Sequence, residues 1–175
     1  MDKKELPKRK NTRMKNYNYN WMSSYFLTIC SKNHVNIFGS ITKKYIENKA
    51  EDFKERVPIT AEVKLTEIGK IVQQYIESSK EVYKNIDVEN YVIMPNHIHL
   101  LLYVSYNDNE TKKFSAEIPK YVSSLKHLVN KECGENVFQR SYHDHIVRGE
   151  KDFDKIWDYI DGNPIRWHED CFYRK

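Results

Sequence analysis

Val88-Glu89-Asn90-Tyr91-Val92-Ile93-Met94-Pro95-Asn96-His97-Ile98-His99-Leu100-Leu101-Leu102-Tyr103-Val104 is the stretch on which the fold turns. Val88 to Met94 is rich in β-branched and aromatic residues and reads as a strand. Pro95-Asn96 breaks the run, because proline lacks an amide hydrogen and both residue types favour turns. His97 to Val104 resumes as a second β-run, so the pair forms a hairpin or a bulged strand turn. Residues two apart on a strand point to one face. His97 and His99 therefore project together, with Ile98 turned to the opposite face. Two neutral imidazoles on one side make half of a metal site. The plainer alternative is a pair of histidines on a solvated sheet face.

The flanking sequence supplies the other elements. Tyr25 to Cys30 is a run of β-formers and predicts a strand, with a turn or short second strand from Asn33 to Gly39. A shorter helix is expected between Glu47 and Pro58. Thr66 to about Lys84 reads as a helix capped by Thr66, with Ile68, Ile71, Val72, Tyr75 and Ile76 at helical spacing. Ile118 to Lys131 repeats that pattern through Tyr121, Val122, Leu125, Leu128 and Val129. Tyr142 to Val147 predicts a further strand, and Lys151 to about Gly162 a last helix. Asn163 precedes Pro164 and is expected at a terminal position outside the helical region. The order is strand, helix, two strands, helix, strand, helix. This is an α+β pattern with a mainly antiparallel sheet, compatible with a split βαβ or ferredoxin-like plan.

The chain has 175 residues, of which 39% are hydrophobic, with only five glycines and five prolines. That is enough for one folded domain and argues against a linker-dominated chain. The net charge of +4 is unevenly placed. Lys3, Lys4, Lys8, Arg9, Lys10, Arg13 and Lys15, set against Asp2 and Glu5, give the first 15 residues +5 and leave the remainder at −1. Residues 1–20 are accordingly expected to be a flexible basic arm, and 21–175 a single domain. A basic arm on a near-neutral body points to a polyanion such as nucleic acid, or else is a solubilising tail. Tyr17 and Tyr19, beside Arg13 and Lys15, either stack on unpaired bases or lie against the first strand. Cys30, Cys133 and Cys171 form no Cys-x-x-Cys pair, which supports neither a zinc ribbon nor a disulfide framework. Reduced thiols, a polar start and no apolar run longer than Leu100 to Val104 fit a cytoplasmic protein with no membrane partner.

On the last helix, Ile156 and Ile160 are four apart and face inward, while Tyr159 and Asn163 are four apart on another face. A tyrosine hydroxyl can attack phosphorus, although its ordinary pKa near 10 means that it needs help at neutral pH. An asparagine one turn away offers a neutral oxygen ligand. With thirteen tyrosines in the chain, spacing alone leaves Tyr159 equally readable as a packing residue.

Several blocks in order resolve that ambiguity by resemblance. Tyr91-Val92-Ile93-Met94-Pro95-Asn96-His97-Ile98-His99-Leu100 resembles the HUH strand of the REP-associated tyrosine transposases, a branch of the single-tyrosine HUH transposases. Phe138-Gln139-Arg140-Ser141-Tyr142-His143-Asp144-His145-Ile146-Val147-Arg148 resembles their next block, and Asp158-Tyr159-Ile160-Asp161-Gly162-Asn163-Pro164 their nucleophile helix. Tyr25 to Cys30 and Leu65 to Lys70 are similar in kind and order, so the resemblance runs from about Arg13 to Trp167. It implies a ferredoxin-like HUH fold, with His97 and His99 as metal ligands, Asn163 as the third and Tyr159 as the nucleophile. The implied metal is Mg2+ or Mn2+. The implied activity is cutting of single-stranded DNA near hairpin-forming repeats, through a 5′-phosphotyrosine and a free 3′-hydroxyl. A HUH nickase that does not transpose shares the same site, and a silent DNA or RNA hairpin-binding protein is the non-enzymatic alternative.

The resemblance further implies a DNA partner, a monomer or homodimer, and a bacterial, nucleoid-associated setting. Arg13, Lys15, Lys126, Arg140 and Arg148 are the candidate DNA contacts, each alone equally readable as a solvated charge. His143 and His145 share a strand face and either touch DNA or support the site. Trp157 and Trp167 are expected in the core.

Overall fold

The computed structural model describes residues 23–47, 56–105 and 117–173. Strand β1 (Ser23–Cys30) leads through a short 3-10 turn at Lys32–His34 to β2 (Gly39–Glu47) and β3 (Arg56–Leu65). Helix α1 (Glu67–Val82), strands β4 (Ile86–Ile93) and β5 (His97–Val104), helix α2 (Glu117–Cys133), strand β6 (His143–Ile146) and helix α3 (Glu150–Gly162) follow. The main sheet has the order β4-β5-β1-β6 with every neighbour antiparallel. With α1 joining β1 to β4 and α2 joining β5 to β6, this is the split βαβ plan, the ferredoxin-like α+β fold that the residue pattern predicts.

Each face of the sheet buries its own cluster. Tyr25, Leu27 and Ile29 of β1 and Ile98, Leu100, Leu102 and Val104 of β5 point to one side, under α1 and α2, with Val72, Ile76, Tyr121, Val122, Leu125 and Val129. Leu101 points to the other side and packs with Ile156 and Ile160 of α3, against Phe26 and Val92. Strand β5 is thus covered on both faces and reads as a continuous apolar run, as a central strand should. In β4 the register shifts between Val88 and Asn90. That bulge lets both Val88 and Tyr91 meet the first cluster despite their odd spacing. Beyond it Asn90 pairs with Leu101, on the α3 side, and its Nδ2 donates to Asp161 Oδ1 at 2.8 Å, which ties α3 to the sheet edge.

Helix α1 starts where the sequence places its cap. Thr66 Oγ1 accepts from Gly69 N at 3.1 Å and donates to the Ile37 carbonyl at 2.6 Å. A side chain at Gly69 would collide with the carbonyl oxygen of Phe38, so glycine is what allows this close approach.

Two expectations need correction. The helix expected between Glu47 and Pro58 is flanked by strand on both sides: Glu47 ends β2 and Arg56 begins β3, which pair as a separate two-stranded ribbon. Alternation over Gly39–Glu47 and Arg56–Leu65 is the signal for it; residues 48–55 lie outside the described set. Asn163 is the C-cap of α3, the terminal position expected for it, but its backbone stays in the helical region, at φ −60 and ψ −43. The chain continues in turns past Pro164 because the preference before proline is a bias that local packing overrides. The basic arm, with Arg13, Lys15, Tyr17 and Tyr19, lies outside the described residues. Among the described residues no helix is long and apolar enough to cross a membrane.

Candidate functional site

The turn between β4 and β5 is tight: Met94 N donates to the His97 carbonyl at 2.8 Å across Pro95-Asn96. It delivers His97 and His99 to the α3 side of the sheet, where neither is solvated. Their exposures are 0% and 1%. Their Nε2 atoms stand 3.0 Å apart. Burial pulls both pKa values down to about 3, helped by His34 at His97 and by His97 at His99. Both rings are therefore neutral at physiological pH, the state in which imidazole ligates metals.

The far nitrogens are held. His97 Nδ1 lies 3.0 Å from Asn96 Oδ1, and His99 Nδ1 lies 3.0 Å from Thr28 Oγ1. Thr28 is the cross-strand partner of His99 in the β1–β5 register, so the same pleat presents both. Phe26, on the same face of β1, stacks on the His99 ring at 5.0 Å.

Helix α3 docks over this face through Ile156 and Ile160 and carries Tyr159 to the histidines. The Tyr159 ring lies 5.2 Å from that of His99 and edge-on to Phe26 at 6.0 Å. Tyr159 as a residue remains 36% exposed, so the site reaches the surface on this side. Burial of the hydroxyl, and next the negative charge of Asp170, push its pKa up to about 12, with Asn163 opposing.

Asp170 is the residue that the sequence did not reveal. It follows the 3-10 turn Trp167–Glu169, and its side chain is 3% exposed. Its Oδ2 accepts from Tyr159 Oη at 3.4 Å and from Asn163 Nδ2 at 3.2 Å, and stands 3.9 Å from His97 Nε2. Its Oδ1 accepts from Phe172 N at 2.7 Å, which fixes the carboxylate plane. Asp170 lies far along the chain in a turn, and no local spacing links it to the histidines. The same holds for Phe172 and Trp167, whose rings lie 4.8 and 5.9 Å from that of His97.

His97, His99 and Asp170 each offer a ligand atom, all within 4.8 Å of one another. Asn163 is buried, and its Oδ1 has no hydrogen-bond partner, an orphaned acceptor beside the cluster. Ligands at right angles around a divalent cation, each about 2.1 Å from it, are separated by roughly 3.0 Å. That is the separation of the two Nε2 atoms. Two neutral imidazoles, an amide oxygen without a donor and a carboxylate fit a divalent cation, and they compensate poorly for one another without one.

The remaining candidates are more dispersed. Lys126 Nζ donates to the carbonyls of Gln139 and Ser141 at 2.8 and 3.0 Å, so its ammonium holds this loop. Arg140 and Arg148 are exposed. His145 is bonded to Asp152 at 2.9 Å, and His143 is exposed on the same face, cross-strand from Thr28. Trp167 is buried, while Trp157 is half-buried against the second cluster.

No family model matches the chain. An uncharacterised protein of Haemophilus influenzae is 30% identical over 184 residues, covering 94% of this chain and 93% of the relative. A second protein of that organism, provisionally named a REP-associated tyrosine transposase, is 28% identical over 107 residues, 53% of this chain and 60% of its own length. Among solved structures, that of a REP-associated tyrosine transposase bound to a REP hairpin superposes with a TM-score of 0.55 at 16% identity, covering 89% of this chain and 74% of the other. At that identity the likeness speaks to the fold alone.

Proposed function

We propose that this chain, which is similar to a relative named as a REP-associated tyrosine transposase and shares the fold of one, cuts and rejoins single-stranded DNA beside hairpin-forming repeats, with Tyr159 as the nucleophile. One observation carries the reading: the Tyr159 hydroxyl, a buried carboxylate and the paired Nε2 atoms of His97 and His99 converge within one chain. No second copy is needed to donate the tyrosine, so a monomer suffices.

Tyr159 Oη attacks phosphorus in line. The Oη–P bond forms and the P–O3′ bond breaks, leaving a 5′-phosphotyrosine and a 3′-oxygen that takes a proton from water. With its pKa near 12, the phenol keeps its proton until attack begins. The proton then passes to Asp170 Oδ2, the atom to which Oη already donates. Attack on the phosphotyrosine by another 3′-hydroxyl reverses the step and rejoins the strand without a nucleotide cofactor.

His97, His99, Asn163 and Asp170 would hold a divalent cation, Mg2+ or Mn2+. Such an ion supplies positive charge against a non-bridging phosphate oxygen as negative charge develops there. The two imidazoles favour manganese, and the two oxygen donors make magnesium tolerable. The basic residues of the arm, within residues 1–20, and the exposed Arg140 and Arg148 supply phosphate contacts that hold the substrate.

The test is a single-stranded oligonucleotide carrying a hairpin, incubated with Mn2+ and run on a denaturing gel. A covalent protein–DNA adduct is expected, with the DNA mapped by mass spectrometry to the Tyr159 peptide. Tyr159→Phe should fold and bind but form none. An adduct on another tyrosine overturns the assignment. Binding without any cleavage by the wild-type chain would leave a hairpin-binding protein.

A further inference from the structure

Asn96 is completely buried in the β4–β5 turn and makes three side-chain hydrogen bonds to three different parts of the chain. Its Nδ2 donates to the carbonyl of His34 at 3.2 Å and to that of Phe172 at 2.8 Å. Its Oδ1 lies 3.0 Å from His97 Nδ1. These bonds settle the amide's orientation. Only the nitrogen can serve two carbonyl oxygens, so the oxygen faces the imidazole and can only accept. His97 Nδ1 must then carry the proton, and the neutral ring presents an unprotonated Nε2 to His99 and Asp170.

We propose that Asn96 is the positioning residue of the site: it selects the His97 tautomer whose Nε2 is free to ligate, and it clips the segment bearing Asp170 over the histidine pair. The two tasks are coupled through one planar amide. Phe172, whose carbonyl takes the shorter Nδ2 bond, also donates its backbone N–H to Asp170 Oδ1 at 2.7 Å. Its ring lies against His97 on one side and stacks on His34 at 5.7 Å on the other. His34, held through its carbonyl, has a φ of 55, a strained value for a residue other than glycine. The Asn96 backbone takes part as well, its carbonyl accepting from Ser31 N at 2.8 Å. The segment after β1, the histidine strand and the Asp170 segment therefore meet at a single side chain.

The inference rests on the reading of His97 as a metal ligand, yet its first measurement needs neither metal nor DNA. Ring-nitrogen NMR of the metal-free wild-type chain should show His97 protonated at Nδ1. Asn96→Asp keeps an acceptor for that proton but sets a carboxylate against two carbonyl oxygens. It should retain the tautomer while the Phe172 amide exchanges with solvent many times faster. Asn96→Leu, of similar size but without either bond, should mix the tautomers and weaken Mn2+ binding about 10- to 100-fold. A wild-type His97 protonated at Nε2 overturns the proposal, as does an Asn96→Leu protein with unchanged tautomer and Mn2+ affinity. If Asn96→Leu does not fold, an Asn96→Asp protein with unaltered Phe172 exchange overturns the clip. A wild-type chain that shows the Nδ1 tautomer but binds no Mn2+ counts instead against the proposed function.

Discussion

Tyr159 donates its hydroxyl to Asp170 Oδ2 across 3.4 Å, while that same oxygen stands 3.9 Å from His97 Nε2. One carboxylate thus faces both the proposed nucleophile and the proposed metal site. Its charge opposes ionisation of Tyr159, yet its oxygen is the acceptor for the phenol proton. Asp170→Asn should therefore ease ionisation of Tyr159 and yet slow its reaction. The Tyr159 pKa, followed by NMR of ring-labelled tyrosine, should fall toward its ordinary value. Adduct formation should slow by about a hundredfold or more, the usual contribution of a positioned base. A variant that forms adduct at the wild-type rate would remove Asp170 from the chemistry.

The histidine pair should make the fold acid-sensitive. Both folded pKa values lie near 3, against 6.5 for an unperturbed histidine. Below about 6.5 the unfolded chain takes up protons that the folded chain refuses, so stability is complete above that value and is lost as pH falls toward about 3. The slope is at most ~1.4 kcal/mol per pH unit for each histidine. Urea denaturation at a series of pH values reads it. A His97→Gln, His99→Gln double variant should flatten the curve, and an equally steep curve in that variant would place the proton uptake elsewhere.

Ile160 is 1% exposed and sits between α3 and Leu101, one residue from Tyr159. Ile160→Ala should cost about 2–4 kcal/mol by lost burial and a residual cavity. Because α3 is seated on the sheet largely through Ile156 and Ile160, the rate of adduct formation should fall with little change in DNA affinity. Unchanged kinetics at full folding would show that Tyr159 is placed by something other than this packing.

Removing residues 1–15 takes away a net charge of +5. DNA affinity should drop, and its dependence on salt should flatten, because fewer counterions are released on binding. Cleavage at saturating DNA should persist, as no proposed catalytic group lies in that segment. An unaltered salt slope would make the arm a tail without a binding role.

The elements built on strong periodicity were legible from residues alone: β1, the β4–β5 pair, and the three helices with the Thr66 cap. The β2–β3 ribbon was not, because the adjacent Lys43 and Lys44 weaken the apolar alternation of β2, while the regular alternation of β3 from Val57 to Leu65 was overlooked. At the site, the shared face of His97 and His99 follows from the two-residue repeat of a strand, and the shared face of Tyr159 and Asn163 from the helical turn. That the two faces meet depends on α3 crossing the sheet, which no local pattern encodes. Asp170 illustrates the limit most clearly: an acidic residue in a short turn looks like surface until the fold buries its side chain to 3% exposure. Lys126, readable from sequence as a phosphate contact, also bridges two backbone carbonyls, which no local pattern encodes.

Ile98 stands between the two histidines on β5 and points through the sheet to the opposite side, where it is fully buried under α1 and α2. The strand therefore acts as a partition with working parts on one surface and structural filling on the other. A methyl group gained or lost behind it has no slack to absorb the change, since β5 is pinned by β4 and β1 along its length. Substitutions at Ile98, Leu100 or their neighbours in α1 and α2 would displace the imidazoles by fractions of an ångström without touching them. Sequence drift in the rear of the molecule is thus coupled to the geometry at the front. Relatives that repack the helical side are expected to do so in compensating pairs that hold the strand's position constant.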